Sequence, residues 1–123
     1  MNIYTQNIID HYKNPRNKGL LSNPSVTHKE VNSICGDTLE IDIQIENNTI
    51  SDIKFRGEGC AISQASISII TDEIKGMNVD EVLAMTIDDV RDMLGIEISE
   101  RREKCAHLGL LAVQKAITTF QNK

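Results

Sequence analysis

The segment Leu39-Glu40-Ile41-Asp42-Ile43-Gln44-Ile45-Glu46 alternates apolar and polar residues without interruption. Alternation with a period of two places every apolar side chain on one face, which predicts a half-buried β-strand. Asn47-Asn48 follows as a turn, and residues 50–55 read as the hairpin partner of that strand. Residues 26–33, after the breaker Asn23-Pro24, predict an edge strand. We therefore expect a three-stranded antiparallel sheet with one face toward a core.

Along the chain, helices are expected both before and after the three strands. A short first helix over residues 3–12 ends at a loop rich in Asn, Pro and Gly at residues 14–19. Everything after Gly57 reads as helical, beginning with a well-buried helix that carries Ile62, Ala65, Ile67, Ile69, Ile70 and Ile74. Later helices are expected to have N-caps at Asn78, Thr86 and Ser99 and a C-terminal glycine at Gly95. The last helix is expected to bury Leu108, Leu111, Ala112, Ala116 and Phe120. The predicted fold class is α+β, three strands packed by helices.

Composition excludes several classes of function. The chain has 123 residues, a formal net charge of −5, two Tyr, two Phe and no Trp. It lacks the basic face and the aromatic platforms that nucleic-acid binding needs. No apolar run approaches the ~20 residues that span a bilayer, and the N-terminus has no secretory pattern. We expect one domain over residues 1–123, with no nucleic-acid or membrane partner.

Three cysteines, Cys35, Cys60 and Cys105, are the main candidates for chemistry. Their odd number and wide spacing argue against a disulfide framework and for reduced thiols in a cytoplasmic setting. Cys60 follows Gly57-Glu58-Gly59 and precedes the buried helix, where helix N–H groups favour a thiolate. The alternative is a tight turn with Cys60 packed beneath it. Cys105, inside the last helix, could also be a packing residue.

Asp37 lies two residues after Cys35, so both side chains can point the same way along an extended backbone. With Cys60 and Cys105 they would offer three sulfurs and one oxygen, a tetrahedral shell for zinc or iron. The alternative for Asp37 is an ordinary turn aspartate. A carboxylate ligand suits a site that must release its contents, whereas closed structural zinc sites more often use four Cys or His ligands.

Other polar residues near Cys105 are weaker candidates. Arg102 and Lys104 would stabilise thiolates or pair with Asp37, unless they belong to a solvated charged run. His107 faces away from Cys105 on a regular helix, and His11 and His28 are expected at the surface. No catalytic triad, paired carboxylates or nucleotide-binding loop is present.

Four motifs, in order, resemble the U-type iron–sulfur cluster assembly scaffolds, the family of IscU, SufU and the N-terminal domain of NifU. They are Asn14-Pro15-Arg16-Asn17-Lys18-Gly19, Cys35-Gly36-Asp37, Gly57-Glu58-Gly59-Cys60-Ala61-Ile62-Ser63-Gln64-Ala65-Ser66 and Arg102-Glu103-Lys104-Cys105. The resemblance covers essentially the whole chain. It implies a SufE/NifU-like fold, a three-stranded antiparallel sheet packed by helices with the site at one exposed end.

The resemblance also implies a function. Such proteins take persulfide sulfur from a pyridoxal-phosphate (PLP)-dependent cysteine desulfurase, collect iron, build a transient [2Fe–2S] cluster and pass it to acceptor apo-proteins. Carried over to this sequence, the metal ligands are Cys35, Asp37, Cys60 and Cys105, and Cys105 is the sulfur acceptor. The helix around Tyr4 and Ile8 is then a docking surface for the desulfurase, or alternatively a core-packed helix.

The sequence departs from the patterns of both the IscU branch and the SufU branch of this family, so it does not assign the chain to either one. The IscU branch has His before the third cysteine, where this chain has Lys104, and a Leu-Pro-Pro-Val-Lys segment where it has Ile96-Glu97-Ile98-Ser99-Glu100. Delivery by an Hsp70-type chaperone is therefore not expected. The motifs match the SufU branch, whose members bind zinc, but its insertion between the second and third cysteines is missing. The alternatives to a scaffold are a zinc-dependent sulfurtransferase and a structural zinc domain.

Overall fold

The computed structural model of the chain describes residues 3–33 and 36–123, and side chains from Thr5 onward within those ranges. Within them the elements are α1 Ile3–Lys13, β1 Val26–Asn32, β2 Asp37–Glu46, β3 Thr49–Glu58, α2 Ala61–Ile74, α3 Val79–Leu83, α4 Ile87–Leu94 and α5 Glu100–Gln121. This order and the α+β class confirm the prediction. No helix within the described ranges has the length and hydropathy that crossing a bilayer requires.

The antiparallel sheet has the order β1-β2-β3, with β2 at its centre and β3 as its hairpin partner at one edge. Asn47 and Asn48 adopt φ values of 53° and 62°, and two left-handed residues give a turn whose twist matches the flanking strands. The register pairs Ile41 with Phe55 and Ile43 with Ile53, so the apolar faces of both strands coincide. The predicted alternation is confirmed.

Strand β3 continues beyond its predicted end at residue 55. It runs through Gly57 to Glu58, so the expectation that helix begins directly after Gly57 is corrected. Gly57 has a φ of 143°, and a Cβ there would lie 2.2 Å from the carbonyl oxygen of Thr38. Glycine therefore lets the two strands stay paired where a side chain would separate them.

The core lies between the sheet and helices α2 and α5. Ile41, Ile43, Ile53 and Phe55 of the sheet are fully buried, and α2 is buried almost all round, as predicted. The stripe predicted for α5 needs one correction, because Leu111 is 38% exposed while Leu110 is fully buried. Since α5 packs against α2, β1 and β2 together, its buried arc is broad and its centre differs from the predicted one.

Capping residues define the ends of the helices as predicted. The side chain of Asn78 accepts from Asp80 N–H, that of Ser99 accepts from Arg102 N–H, and Thr86 forms a capping box with Asp89. Gly95 ends α4 with a φ of 69°. Each cap satisfies backbone groups that a helix end leaves unpaired.

Helix α1 packs on α2, which corrects the expectation that His11 lies at the surface. His11 is buried, and its Nδ1 lies 2.8 Å from the hydroxyl of Ser68. Ile8, one turn earlier on the same face, is also buried. This face of α1 therefore packs in the core, which was the alternative to a docking surface. His28 is half-buried on β1, with Nε2 3.6 Å from a carboxylate oxygen of Glu30.

Candidate metal centre

Three predicted ligand residues come together at one end of the sheet. Asp37 is the first residue of β2, Cys60 is the N-cap of α2, and Cys105 lies in the second turn of α5. One ligand atom from each, a carboxylate oxygen and two sulfurs, lies within 4.8 Å of the others. Cys35, the fourth predicted ligand, lies outside the described residues.

The local backbone fixes Asp37 against Cys60. The N–H of Cys60 donates to Oδ1 of Asp37 at 3.1 Å, which holds the carboxylate beside the start of α2. Gly59 makes this approach possible, since a Cβ there would lie 2.7 Å from Oδ1 of Asp37 and 2.2 Å from Oγ of Ser63. A side chain at this position would displace at least one of them.

Asp37 is buried with one oxygen unsatisfied. It is 1% exposed, and its Oδ2 has no hydrogen-bond partner among the described residues. Asp42 on the same strand provides a comparison, because it is 3% exposed and both its oxygens are bonded. Its Oδ1 accepts from Thr27 at 2.7 Å, and its Oδ2 accepts from Leu21 N–H and from Arg56, each at 3.1 Å. A buried, unpaired carboxylate oxygen beside two sulfurs is what a metal site requires.

The thiol of Cys60 is the more accessible of the two sulfurs. Cys60 is half-buried, whereas Cys105 is 1% exposed. Burial raises the pKa of Cys60, but hydrogen bonds from the N–H and hydroxyl of Ser63 and from Cys105 outweigh it and hold the pKa below its ordinary value. The carboxylate of Asp37 acts in the opposite direction. At the start of α2 the Ser63 N–H lies 3.5 Å from Sγ of Cys60. The predicted position at a helix N-terminus is confirmed.

The donor set fits zinc or iron. Two thiolate sulfurs supply soft ligands and Asp37 supplies a hard one, a mixture that both metals accept. Three ligands leave a fourth position for Cys35 or for an incoming molecule. The arrangement can bind a metal ion, and its oxygen ligand would exchange more readily than a third thiolate.

The predicted supporting residues lie on α5, just before Cys105 in the sequence. Arg102 and Lys104 are exposed, and neither forms an ion pair with Asp37 within the described part of the chain. Lys104 and His107 line a surface groove next to α5, together with the exposed Val31. Burial, and then the charge of Arg91, lower the pKa of His107.

The sequence analysis assigned no role to Ser63. The Ser63 hydroxyl donates to the carbonyl of Cys60 at 2.9 Å, and its backbone N–H is directed at the thiol. A serine three residues after a helix-capping position is the signal that could have found it. The sequence shows a glycine beside Cys60, where the absence of a side chain permits close approach, and the structure identifies the approaching groups as the Asp37 carboxylate and the Ser63 hydroxyl.

Comparison with known proteins shows matches over nearly the whole chain. Residues 3–123 match the family described as NifU-like N terminal domain. The zinc-dependent sulfurtransferase SufU of Bacillus subtilis is 36% identical, covering 94% of this chain and 89% of SufU. That alignment spans 132 positions, more than the 123 residues here, so SufU carries residues without a counterpart in this chain. The iron-sulfur cluster assembly scaffold protein IscU 1 of Archaeoglobus fulgidus is 34% identical over 98% of this chain and 78% of its own length.

Solved structures share the fold. The N-terminal part of a nitrogen-fixing NifU-like protein from Brucella abortus superposes with a TM-score of 0.81 and 21% identity. The match covers 98% of this chain and 96% of that structure. The predicted SufE/NifU-like architecture is thereby confirmed.

Proposed function

This chain belongs to the NifU-like N-terminal domain family, and from that membership we propose that it is an iron–sulfur cluster assembly scaffold. It accepts sulfur from a PLP-dependent cysteine desulfurase, binds iron, builds a transient [2Fe–2S] cluster and transfers the cluster to acceptor apo-proteins. IscU 1 of Archaeoglobus fulgidus, 34% identical, is named as an iron-sulfur cluster assembly scaffold protein, which supports the scaffold part of the proposal. Residues 1–123 act as one domain, as a scaffold and not as a turnover enzyme.

One observation carries this proposal: the buried, unpaired Oδ2 of Asp37 beside the sulfurs of Cys60 and Cys105. Cys35, which precedes Asp37 by two residues, is the proposed fourth ligand. A hard oxygen among thiolates keeps the cluster labile, since iron–sulfur clusters held by four thiolates are the more common resident form. A cluster that is passed on as cargo must be released easily, whereas a resident cofactor must not.

Sulfur acceptance is assigned to Cys105. Its thiolate attacks the outer sulfur of the desulfurase persulfide, the S–S bond breaks, and the desulfurase cysteine leaves as a thiolate. Arg102 and Lys104, both exposed near this thiol in sequence, favour the thiolate by their positive charge. Because Cys105 is 1% exposed, the three ligand-bearing segments must separate before the persulfide reaches it.

Reconstitution tests the scaffold function directly. The protein is purified anaerobically and incubated with a cysteine desulfurase, cysteine and ferrous iron, and its iron and labile sulfide are then measured. Stoichiometric iron and sulfide with visible charge-transfer absorbance support the scaffold. Tightly held zinc with no cluster formed would contradict it.

A zinc-dependent sulfurtransferase is the second candidate. Its support is the 36% identity with SufU and the presence of Lys104 at the position before Cys105. Bound zinc would lower the pKa of its cysteine ligands, with Asp37, Cys60 and Cys105 holding it. The test is desulfurase turnover with the zinc-loaded, iron-free protein, where a strong increase supports this candidate.

A structural zinc domain is separated from both by one variant. If zinc only stabilised the fold, Cys105→Ser would unfold the protein, since the binding energy of a structural metal is folding energy. A folded Cys105→Ser variant that takes up no persulfide excludes that reading. Cys60→Ser is the matched comparison, and mass spectrometry of both variants shows which thiol accepts sulfur first.

Partners and compartment follow from the same proposal. The proposed partners are the desulfurase and acceptor apo-proteins, and the proposed compartment is the cytoplasm, since the free thiols of Cys60 and Cys105 suit a reducing environment. The side chain of Tyr4 lies outside the described residues, and Ile8 is buried, so α1 offers the desulfurase its outer face only. Residues 96–100 differ from the chaperone-recognition segment of the IscU branch, and we propose no Hsp70 partner.

A further inference from the structure

A second concave surface lies far from the metal centre. It is an open groove of about 670 Å³ formed by α1, the C-terminal part of α2 and α4. The apolar part of its lining, which we call its floor, comprises the buried Ile69 and the half-buried Met77, Met85 and Met93, three of the four methionines in the chain. We call this surface the methionine groove. Methionine side chains are flexible and polarisable, and they suit surfaces that adapt to an apolar partner.

The rim of the methionine groove is acidic. Asp72, Glu73 and Asp92 line it, all three are exposed, and none has an ion-pair or hydrogen-bond partner among the described residues. The buried His11 also lines the groove near Asp72, but burial lowers its pKa and favours the neutral imidazole. Three basic residues close in sequence to the lining are ion-paired with other carboxylates: Arg91 with Asp88 and Glu103, Lys75 with Asp52, and Arg16 with Asp10. Lys13, two residues after His11, has no ion pair within the described part of the chain. The groove therefore presents net negative charge around an apolar floor.

The groove is separate from the site that binds the cargo. Asp72 follows Cys60 by twelve residues along the same helix, which corresponds to about 18 Å at the rise of an α-helix. Among the described residues of the metal centre, none lines the groove. Its apolar floor and acidic rim have no use in metal binding at Asp37, Cys60 and Cys105.

We propose that the methionine groove binds a cationic amphipathic helix of a partner protein. The apolar face of such a helix contacts the three methionines, and its Lys or Arg residues meet Asp72, Glu73 and Asp92. Helix-in-groove recognition uses this combination of an adaptable floor and a charged rim. Charge complementarity selects the cationic partner and accelerates its association.

The probe is a short acetylated Leu/Lys peptide designed as an amphipathic helix, with a scrambled peptide of the same composition as its control. Binding is measured by fluorescence anisotropy against the wild type and the triple variant Asp72→Asn/Glu73→Gln/Asp92→Asn. The matched control is Glu46→Gln/Glu97→Gln/Glu100→Gln, which removes the same charge from exposed positions outside the groove. Circular dichroism establishes that all proteins are folded.

We expect the amphipathic peptide to bind the wild type and the control variant equally, and the groove variant at least about tenfold more weakly. Equal binding of the scrambled peptide, equal losses in both variants, or no binding at all would overturn the proposal. So would a wild-type dimer, seen by sedimentation, that the groove variant abolishes, because a second copy would then be the occupant. Binding is measured with and without zinc, so the result does not depend on the proposed scaffold function.

Discussion

Gly109 of α5 lies directly against Ile67 of α2. A Cβ on Gly109 would be 2.9 Å from Cδ1 of Ile67, closer than two carbon atoms pack. Cys105 precedes Gly109 by four residues, one helical turn, so the close approach of the helices also sets the distance between Cys105 and Cys60.

We expect Gly109→Ala to weaken the metal centre while the chain stays folded. Alanine gains about 1 kcal/mol of helix propensity over glycine, while overpacking costs about 1–3 kcal/mol, so the free energy of unfolding falls by at most about 2 kcal/mol. The outward shift of α5 should lower zinc affinity about tenfold, since ligand geometry is strict. A chelator-competition titration measures this affinity. Adding Ile67→Val, which removes the clashing methyl group, should restore part of it; no restoration would contradict this account.

Replacement of Asp37 should change cluster release. In Asp37→Ala the exchangeable oxygen ligand is lost, and we expect transfer of the cluster to an apo-ferredoxin to slow severalfold. Glu58→Ala, which removes an exposed carboxylate from the end of β3, is the control. Transfer is followed by visible circular dichroism, and an unchanged rate would count against a role for Asp37 in release.

Thiol reactivity should distinguish the two cysteines of the described site. Cys60 is half-buried with a lowered pKa and Cys105 is 1% exposed, so limiting iodoacetamide should alkylate Cys60 first in the metal-free protein. The midpoint of the pH–rate profile for Cys60 should fall below that of an ordinary thiol. Peptide mass spectrometry gives the order, and urea-unfolded protein should show no preference. Faster alkylation of Cys105 would show that the helices open readily.

Stability should fall as the pH falls below neutrality. Burial, and then Arg16, lower the pKa of His11 in the folded state, although Asp72 and Asp10 oppose them. The folded protein therefore binds this proton less readily than the unfolded chain, so the stability contributed by neutral His11 is complete above about pH 6.5 and is lost as the pH falls toward the folded pKa.

The check compares urea unfolding at pH 7 and pH 5 for wild type, His11→Gln and His11→Gln/His107→Gln. His107 also has a lowered pKa, caused by burial and then by Arg91, so the single variant should keep part of the pH dependence. The double variant should lose most of it. A single variant as pH-sensitive as the wild type would exclude His11 as a source.

Much of the fold is encoded in local patterns that the sequence displays. The alternation in β2, the Asn47-Asn48 turn and the caps at Asn78, Thr86 and Ser99 depend on neighbouring residues, and all are confirmed. The position of Cys60 at a helix N-terminus was predictable for the same reason.

Features set by distant partners could not be predicted. The burial of His11 depends on Ser68, which lies 57 residues away, and only its spacing from Ile8 hinted at a shared face. The exposure of Leu111 depends on how α5 is rotated between the sheet and α2. The unpaired oxygen of Asp37 depends on Cys60 and Gly59, whose approach to β2 no local pattern reveals.

The ligand residues Asp37, Cys60 and Cys105 belong to three elements that are distant in sequence. Because each element supplies one of these three ligands, the ligands are brought together only in the folded chain, and unfolding would disperse them. A bound metal ion would therefore stabilise the folded state by mass action, so that the metal content of a preparation would report how much of it is folded.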